Sequence, residues 1–468
     1  MARRTSVNRV GFATLLSMSR AAPLPPPLTI WIVNPFDDIP GEGLPPLRYW
    51  SLARILASRG HDVTWWSSTW SHRRKAIRRV PLGIREDEGF AMRLVAVRPY
   101  QKNASLARFA SHRDFSRTFE RLANESIASG QLSRPDLILA SLSPLEGPEA
   151  ALRLAQRLDA QCIVDLTEIW PETLERLVPG PQWLRKILSP LLLGGMYRRR
   201  KIVIEAADGI SAATQAYANA ILGEGVAQQR DDTPDTPFET AASKPHFVCY
   251  LGAYVEEFAA PPRNYNPVPT ADQAIKNVQA RLVTESLECV YSGTLEAGQD
   301  LDTLIAAAKM LSSSGTKATL HIAGTGSLEA SLRQSAAALS GSCRVLTHGL
   351  LSRGAYAKLL SECAVGLVLV KPESLVSVPY KACDYAAAGL AIVNSLPGEL
   401  EKLIDHFGAG IRYTSGNATS LASAISSLAD DRTRLLHFRQ NARLLAAVEF
   451  DRERIYPRFA EWLESIAE

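Results

Sequence analysis

Residues Leu28 to Ser68 read LTIWIVNPFDDIPGEGLPPLRYWSLARILASRGHDVTWWSS. The apolar run Leu28 to Val33 has the length of a buried strand, LRYWSLARILASRGH repeats apolar residues at helical spacing, and DVTWWSS is strand-like again. Strand, loop, helix, strand is the opening of a doubly wound, parallel α/β sheet. Further strands are predicted at MRLVAV, DLILAS and QCIVDLT, with the helical pattern PEAALRLAQRLDA between the last two. A second alternating series follows in LECVYSG, KATLHIAG, CRVLTHG, AVGLVLV and LAIVN. Two such Rossmann-like sheets facing across a cleft would put a ligand site at the carboxyl ends of their strands.

The length supports that division, because 468 residues exceed what one core usually serves. The expected organisation is an N-terminal extension over 1–27, a first domain over 28–255, a linker region over 256–286, a second domain over 287–450, and a closing helix over 451–468 that returns to the first domain. The polar, Pro-bearing stretch from Gly225 to Pro245 reads as an exposed loop, and APPRNYNPVPTADQ lies where a linker is needed. With 46% apolar and 21% charged residues the chain falls among globular proteins and outside the disordered classes. A net charge of +4 is too small to signal a nucleic-acid binder. The six cysteines form no CxxC pair and have no histidine at metal-ligand spacing, so neither a disulfide framework nor a zinc site is expected, and a reducing compartment fits. The basic, weakly apolar N-terminus is not read as a signal peptide, and no run approaches the roughly 20 apolar residues of a membrane span. A cytoplasmic protein that meets lipid only from outside is expected.

The segment richest in chemistry is SVPYKACDYAAAGLAIVNSLPGELEKLIDHFGAG, Ser377 to Gly410. Lys381 and Asp384 stand one turn apart at the start of a predicted helix. Free N–H groups and the helix dipole favour anions there, so a lysine beside them suits a diphosphate, and the aspartate can accept from a ribose diol. A surface Lys-Asp pair, with Gly389 easing the turn to the next strand, is the alternative. In the first domain, Gly41 and Gly43 flank Glu42 between a strand and a helix, where glycines permit close approach to a phosphate or sugar, although such pairs recur in ordinary turns. Arg48, on the first turn of the following helix, is expected either to reach an anion across the cleft or to be solvated. Asp165, Glu168 and Glu172 with Trp170 cluster at a strand end. His72 and His112 have no carboxylate partner visible in sequence and are assigned surface or packing roles.

These motifs resemble glycosyltransferase family four. Its polysaccharide-type form P-x-K-x-x-E-Y-x-A-x-G stands here as Pro379, Lys381, Asp384, Tyr385, Ala387 and Gly389. VYSGTLEAGQDLDTLIAAA is similar to the opening of that family's donor domain, HIAGTGSLEASL to its G-x-G turn, NPFDDIPGEGLPPLRYWSLARILASRGHDVTWWSS to its N-terminal loop and helix, DLTEIWPETL to its D-x-W-P-E stretch, and ADGISAATQAY to a strand and turn of its first domain. The resemblance implies a GT-B fold and transfer of a sugar from a nucleotide-sugar donor, bound by Gly293, Thr294, Gly324, Gly326, Leu350, Leu351, Lys371, Ser377, Lys381 and Asp384, to a glycan or lipid-linked acceptor. It implies retention of configuration without a protein base, with Lys381 and Glu373 acting at the donor and Glu168 orienting the acceptor. No metal or cofactor is expected, and Asp37 with Asp38 is a weak exception. Three departures stand out. The family's first glutamate falls on Val376, with Glu373 the nearest carboxylate, its diphosphate cations fall on Thr294 and Gln299, and Asp384 is shorter than the usual glutamate. A nucleotide-sugar epimerase of the same architecture, or a binding subunit that no longer turns over, is therefore kept as an alternative.

Two basic stretches, HRRKAIRRVPLGIR (His72 to Arg85) and WLRKILSPLLLGGMYRRRK (Trp183 to Lys201), suit an anionic membrane surface, each cation being worth roughly 1 kcal/mol. A helix packed on the core with a charged, solvated end is the alternative.

Overall fold

The computed structural model describes residues 26–42, 46–78, 89–103, 105–177, 182–223, 244–259 and 286–467. In the first half, strands β1 (Thr29–Val33), β2 (Asp62–Ser68), β3 (Ala91–Val95), β4 (Leu137–Ser141), β5 (Gln161–Leu166), β6 (Gly209–Ala212) and β7 (His246–Val248) form a parallel sheet in the order β3-β2-β1-β4-β5-β6-β7. Helices α1 (Arg48–Ser58), α2 (Leu106–Ala128), α3 (Glu146–Leu158), α4 (Gln182–Ala206) and α5 (Gln215–Leu222) join them. Trp31 and Val33 enter one core, while Ile30 and Ile32 enter the other. Burial on both faces is why β1 reads as an unbroken apolar run.

The second half repeats the plan. Strands β8 (Leu287–Ser292), β9 (Ala318–Ala323), β10 (Cys343–Gly349), β11 (Val365–Val368), β12 (Ala391–Asn394) and β13 (Gly410–Arg412) form a parallel sheet ordered β10-β9-β8-β11-β12-β13. Helices α6 (Leu301–Ser313), α7 (Glu329–Ala337), α8 (Arg353–Glu362), α9 (Tyr380–Ala387), α10 (Glu399–Phe407), α11 (Ala418–Asp430) and α12 (Arg432–Leu445) cover it. The order runs 3-2-1-4-5-6-7 in the first sheet and 3-2-1-4-5-6 in the second, so the winding reverses between β1 and β4, and again between β8 and β11. Ligands of open α/β sheets bind in the crevices at these reversals. Gly366 on β11 lets α9 approach: a Cβ there would meet the Tyr385 ring at 2.4 Å.

The last helix, α13 (Arg452–Ala467), lies against α1 of the first sheet. Glu464 accepts from Arg59 at 2.6 and 2.7 Å and meets His61 Nε2 at 2.8 Å, while Phe459 and Trp462 stack on Phe247. Arg452 donates to the carbonyls of Pro46 and Leu251, at 2.6 and 2.9 Å. The loop read from Gly225 to Pro245 and the linker segment at 260–273 fall almost wholly outside the described residues.

Candidate active site

At the β8/β11 reversal the chain leaves β8 through Ser292, Gly293 and Thr294. Gly293 has φ 139°, and Gly324, with φ 146°, follows β9. A Cβ on Gly324 would lie 1.8 Å from the Gly293 carbonyl oxygen, and one on Gly326 would lie 2.4 Å from that of Leu295. Only glycine lets these two loops stack backbone on backbone. A Cβ on Gly293 would in turn fall 2.8 Å from Lys381 Nζ, so the missing side chain opens the space that the lysine fills.

Helix α9 starts at Tyr380, with Pro379 capping it in an extended conformation, which sets Lys381 in the first turn. Its ammonium sits 4.1 Å above the Tyr291 ring and donates to Gln299 Oε1 at 3.4 Å. The Tyr291 hydroxyl lies 2.8 Å from the Thr294 carbonyl and 3.0 Å from the same Gln299 oxygen. No carboxylate pairs with Lys381 among the described residues, and burial pulls its ammonium down to about 7. A half-buried cation held by a ring face and a neutral amide is poised for an anion. Thr294 and Gln299, at the positions where the resembled family carries cations, thus line the lysine's seat without sharing its charge.

Asp384, one turn on, is also half-buried, and desolvation raises its carboxyl against the opposing pull of Arg353 and Arg452. Arg353 Nη1 stands 3.5 Å from it and pairs with Glu257, its guanidinium lying over Phe258 and Tyr356. Sequence reasoning missed Arg353. The available signal was a cation directly after the Ser352 cap, at the carboxyl edge of the sheet. Ser377 is buried and donates to Glu399 at 3.0 Å, Lys371 is half-buried, and Leu351 packs against the apolar core that Val368 and Tyr385 share. Leu350 is 63% exposed, and Glu373 lies with Val376 on the exposed part of the loop before α9.

The first domain presents its own strand ends to α9. The Tyr380 hydroxyl accepts from the Arg48 backbone at 3.4 Å, and the Tyr217 hydroxyl accepts from the Ser377 backbone at 3.3 Å. Glu399 accepts from the first N–H groups of α5, Gln215 and Ala216, at 2.9 and 2.8 Å, and from the Tyr250 hydroxyl at 2.7 Å. A carboxylate from one domain therefore caps a helix of the other.

Several expected site residues have structural partners instead. Arg48 is neither solvated nor free to reach across the cleft: it is 1% exposed, donates to both Asp165 oxygens at 2.8 and 2.9 Å, and donates to the Cys249 carbonyl at 2.7 Å. Asp165 also accepts from Tyr49 and Ser211, each at 2.7 Å. Burial pushes its carboxyl up, but Arg48 and these hydroxyls outweigh that and hold it below the usual range. Glu42 is taken by Arg78 at 3.3 Å and by the Ile39 N–H at 2.8 Å; Gly41 has φ 87°, and Gly43 lies outside the described residues. Glu172 pairs with Arg200 at 2.6 Å, which leaves Glu168 as the member of the carboxylate cluster bound, among the described residues, by a hydroxyl alone, that of Ser143 at 2.5 Å. Burial raises the Asp37 carboxyl to about 7. Among the described residues no three His, Cys, Asp or Glu side chains form a group that could hold a metal ion.

Residues 272–445 match the family of glycosyl transferases group 1. That match falls on the second half of the chain and spans its second sheet. The whole chain shares its two-sheet fold, GT-B, with solved structures. Anabaena Alr3699/HepE in complex with UDP aligns over 94% of this chain and 100% of its own, at 15% identity and TM-score 0.60. Sucrose-phosphate synthase from Thermosynechococcus elongatus aligns over 92% and 98%, at 15% identity and TM-score 0.65. The α,α-trehalose 6-phosphate synthase of Burkholderia multivorans aligns over 94% and 99%, at 14% identity and TM-score 0.61. No curated protein matched in sequence. The likeness to the structures is one of fold.

Proposed function

We propose that this glycosyltransferase takes a uridine diphosphate sugar in its second domain and passes the sugar to a glycan or lipid-linked acceptor held by the first. Configuration is retained and no metal is needed. The observation that carries this reading is Lys381, half-buried and without a carboxylate partner among the described residues, at the β8/β11 reversal in the space opened by Gly293. A departing diphosphate gains negative charge there, and a pre-placed cation in a dry site stabilises that charge more than it stabilises bound donor. HepE, of the same fold, was solved with UDP and with UDP-glucose, which supports the donor class. Asp384 accepts from the ribose, and Glu168 orients the acceptor hydroxyl.

Work at a membrane surface belongs to the same reading. No helix among the described residues is long and apolar enough to cross a bilayer. On α4, however, Ile187, Leu191 and Leu192 stand 64%, 80% and 60% exposed. The flanking arginines contribute less than their charge suggests: Arg199 pairs with Glu146 and Glu149, and Arg200 with Glu172.

The test is a thermal-shift screen of UDP- and GDP-sugars with EDTA present, followed by product analysis. A UDP-sugar should raise Tm, and, with acceptor, give a product whose NMR linkage keeps the donor's anomeric sense. Conversion of the donor into its epimer, or no stabilisation by any nucleotide sugar, would overturn the proposal.

A further inference from the structure

Of the cations in the stretch His72 to Arg78, Arg73 and Arg74 are exposed, Lys75 is half-buried and Arg78 is buried. Arg73 pairs with Asp38 and Arg78 with Glu42, while His72 and Lys75 face inward. They join Arg108 and His112 of α2 above the β1/β4 reversal, beside a small cavity lined by Phe36, Trp70, Tyr100, His112, Phe115 and Pro144. Arg108 is 8% exposed; it donates to His112 Nε2 at 3.3 Å and to the Asn103 carbonyl at 3.2 Å, and lies over the rings of Phe36 and Trp170. Lys75 donates to Asn103 Oδ1 at 2.5 Å, stands 3.5 Å from His72 Nδ1 and lies over the Tyr100 ring. Among the described residues neither cation has a carboxylate partner. His112, 2% exposed, has an Nδ1 without a hydrogen bond; Glu146, 3.7 Å away, is engaged by Arg199. Lys75 is also held at φ 52°, unusual for a residue with a side chain.

We infer that Arg108 and Lys75 form a subsite for a phosphate group of the acceptor. A buried arginine and a half-buried lysine, both unneutralised among the described residues, repel each other: burial and Arg108 lower Lys75 to about 8, and burial with both cations lowers His72 to about 3. A phosphate dianion relieves that repulsion, where a single carboxylate charge would leave half of it. Neutral His72 and His112 then supply hydrogen bonds and an apolar wall of aromatic rings excludes water. The subsite stands at the strand ends of the sheet that meets Tyr380 and Ser377, and so deepens the donor–acceptor reading on which it rests.

Calorimetric titration of inorganic pyrophosphate into protein saturated with UDP tests it. UDP saturation is established first in its own titration. Wild type should bind pyrophosphate, Arg108→Gln and Lys75→Met should each bind about tenfold more weakly or not at all, and Arg98→Gln, an exposed arginine paired with Asp114, should match wild type. Lys75, on a surface turn, keeps the test readable if Arg108→Gln does not fold. A sugar phosphate and a short prenyl diphosphate are then used as competitors, and whichever displaces pyrophosphate names the source. Silence in wild type, equal binding by both variants, or displacement by neither competitor would overturn the subsite. A protein that fails to bind UDP counts against the donor site instead, and wild type is then compared with Arg108→Gln without UDP.

Discussion

Lys381 and Arg48 show how burial decides what an ionised side chain does. Arg48 spends its charge on Asp165, and removing it strands a buried carboxylate. Arg48→Met should therefore cost about 3–5 kcal/mol of stability, read by urea denaturation, without a specific loss of donor affinity in the folded fraction. Lys381 has no such partner, and its charge is held down only by burial. Below about 7 the free enzyme carries the ammonium; above it the cation is lost before donor arrives. The kcat/KM for donor should thus fall as pH rises through about 7, and Lys381→Arg, charged throughout, should abolish that falling limb. An unchanged pH profile in Lys381→Arg would assign the limb to another group. The motif made Lys381 and Asp384 legible in the sequence, because their spacing is local. Asp165 and Cys249 beside Arg48, Arg353 beside Asp384 and Asn103 beside Lys75 lie between 28 and 201 residues away along the chain, and no local pattern announces them.

Among elements, the loops after β8 and β9 and the helix α4 carry separable consequences. Gly324→Ala puts a methyl against the Gly293 carbonyl at a backbone angle that side chains resist. The loops must part, and Lys381 loses the seat that Gly293 opens. Donor KM should rise at least about tenfold while β8 and β9 stay protected in hydrogen exchange; unchanged KM would separate the lysine from the loop stack. On α4, Leu191→Gln with Leu192→Gln should reduce cosedimentation with anionic vesicles several-fold, since each exposed leucine offers roughly 1.5–3 kcal/mol of burial. Replacing Arg199 or Arg200 is the poorer test, because their pairs with Glu146, Glu149 and Glu172 hold α4 to its neighbours. The strands were legible because most are buried on both faces and read as unbroken apolar runs. The short strand β7 was not: His246, Phe247 and Val248 are all only half-buried at the sheet's edge.

At the scale of the molecule, Glu399 links the two sheets by capping α5 and binding Tyr250 and Ser377. Glu399→Ala leaves those donors unpaired, at roughly 1–3 kcal/mol for each group that stays buried, so the cleft should open and the radius of gyration rise in small-angle scattering. An unchanged radius would mean that α13, packed back on α1, alone sets the domain angle. The central claim is that Lys381 stabilises a departing diphosphate, and turnover of a UDP-sugar by Lys381→Ala tests it most directly. With the fold verified, kcat should drop about 100-fold or more while donor affinity changes less. Donor kinetics identical to wild type would contradict the account and place the donor elsewhere.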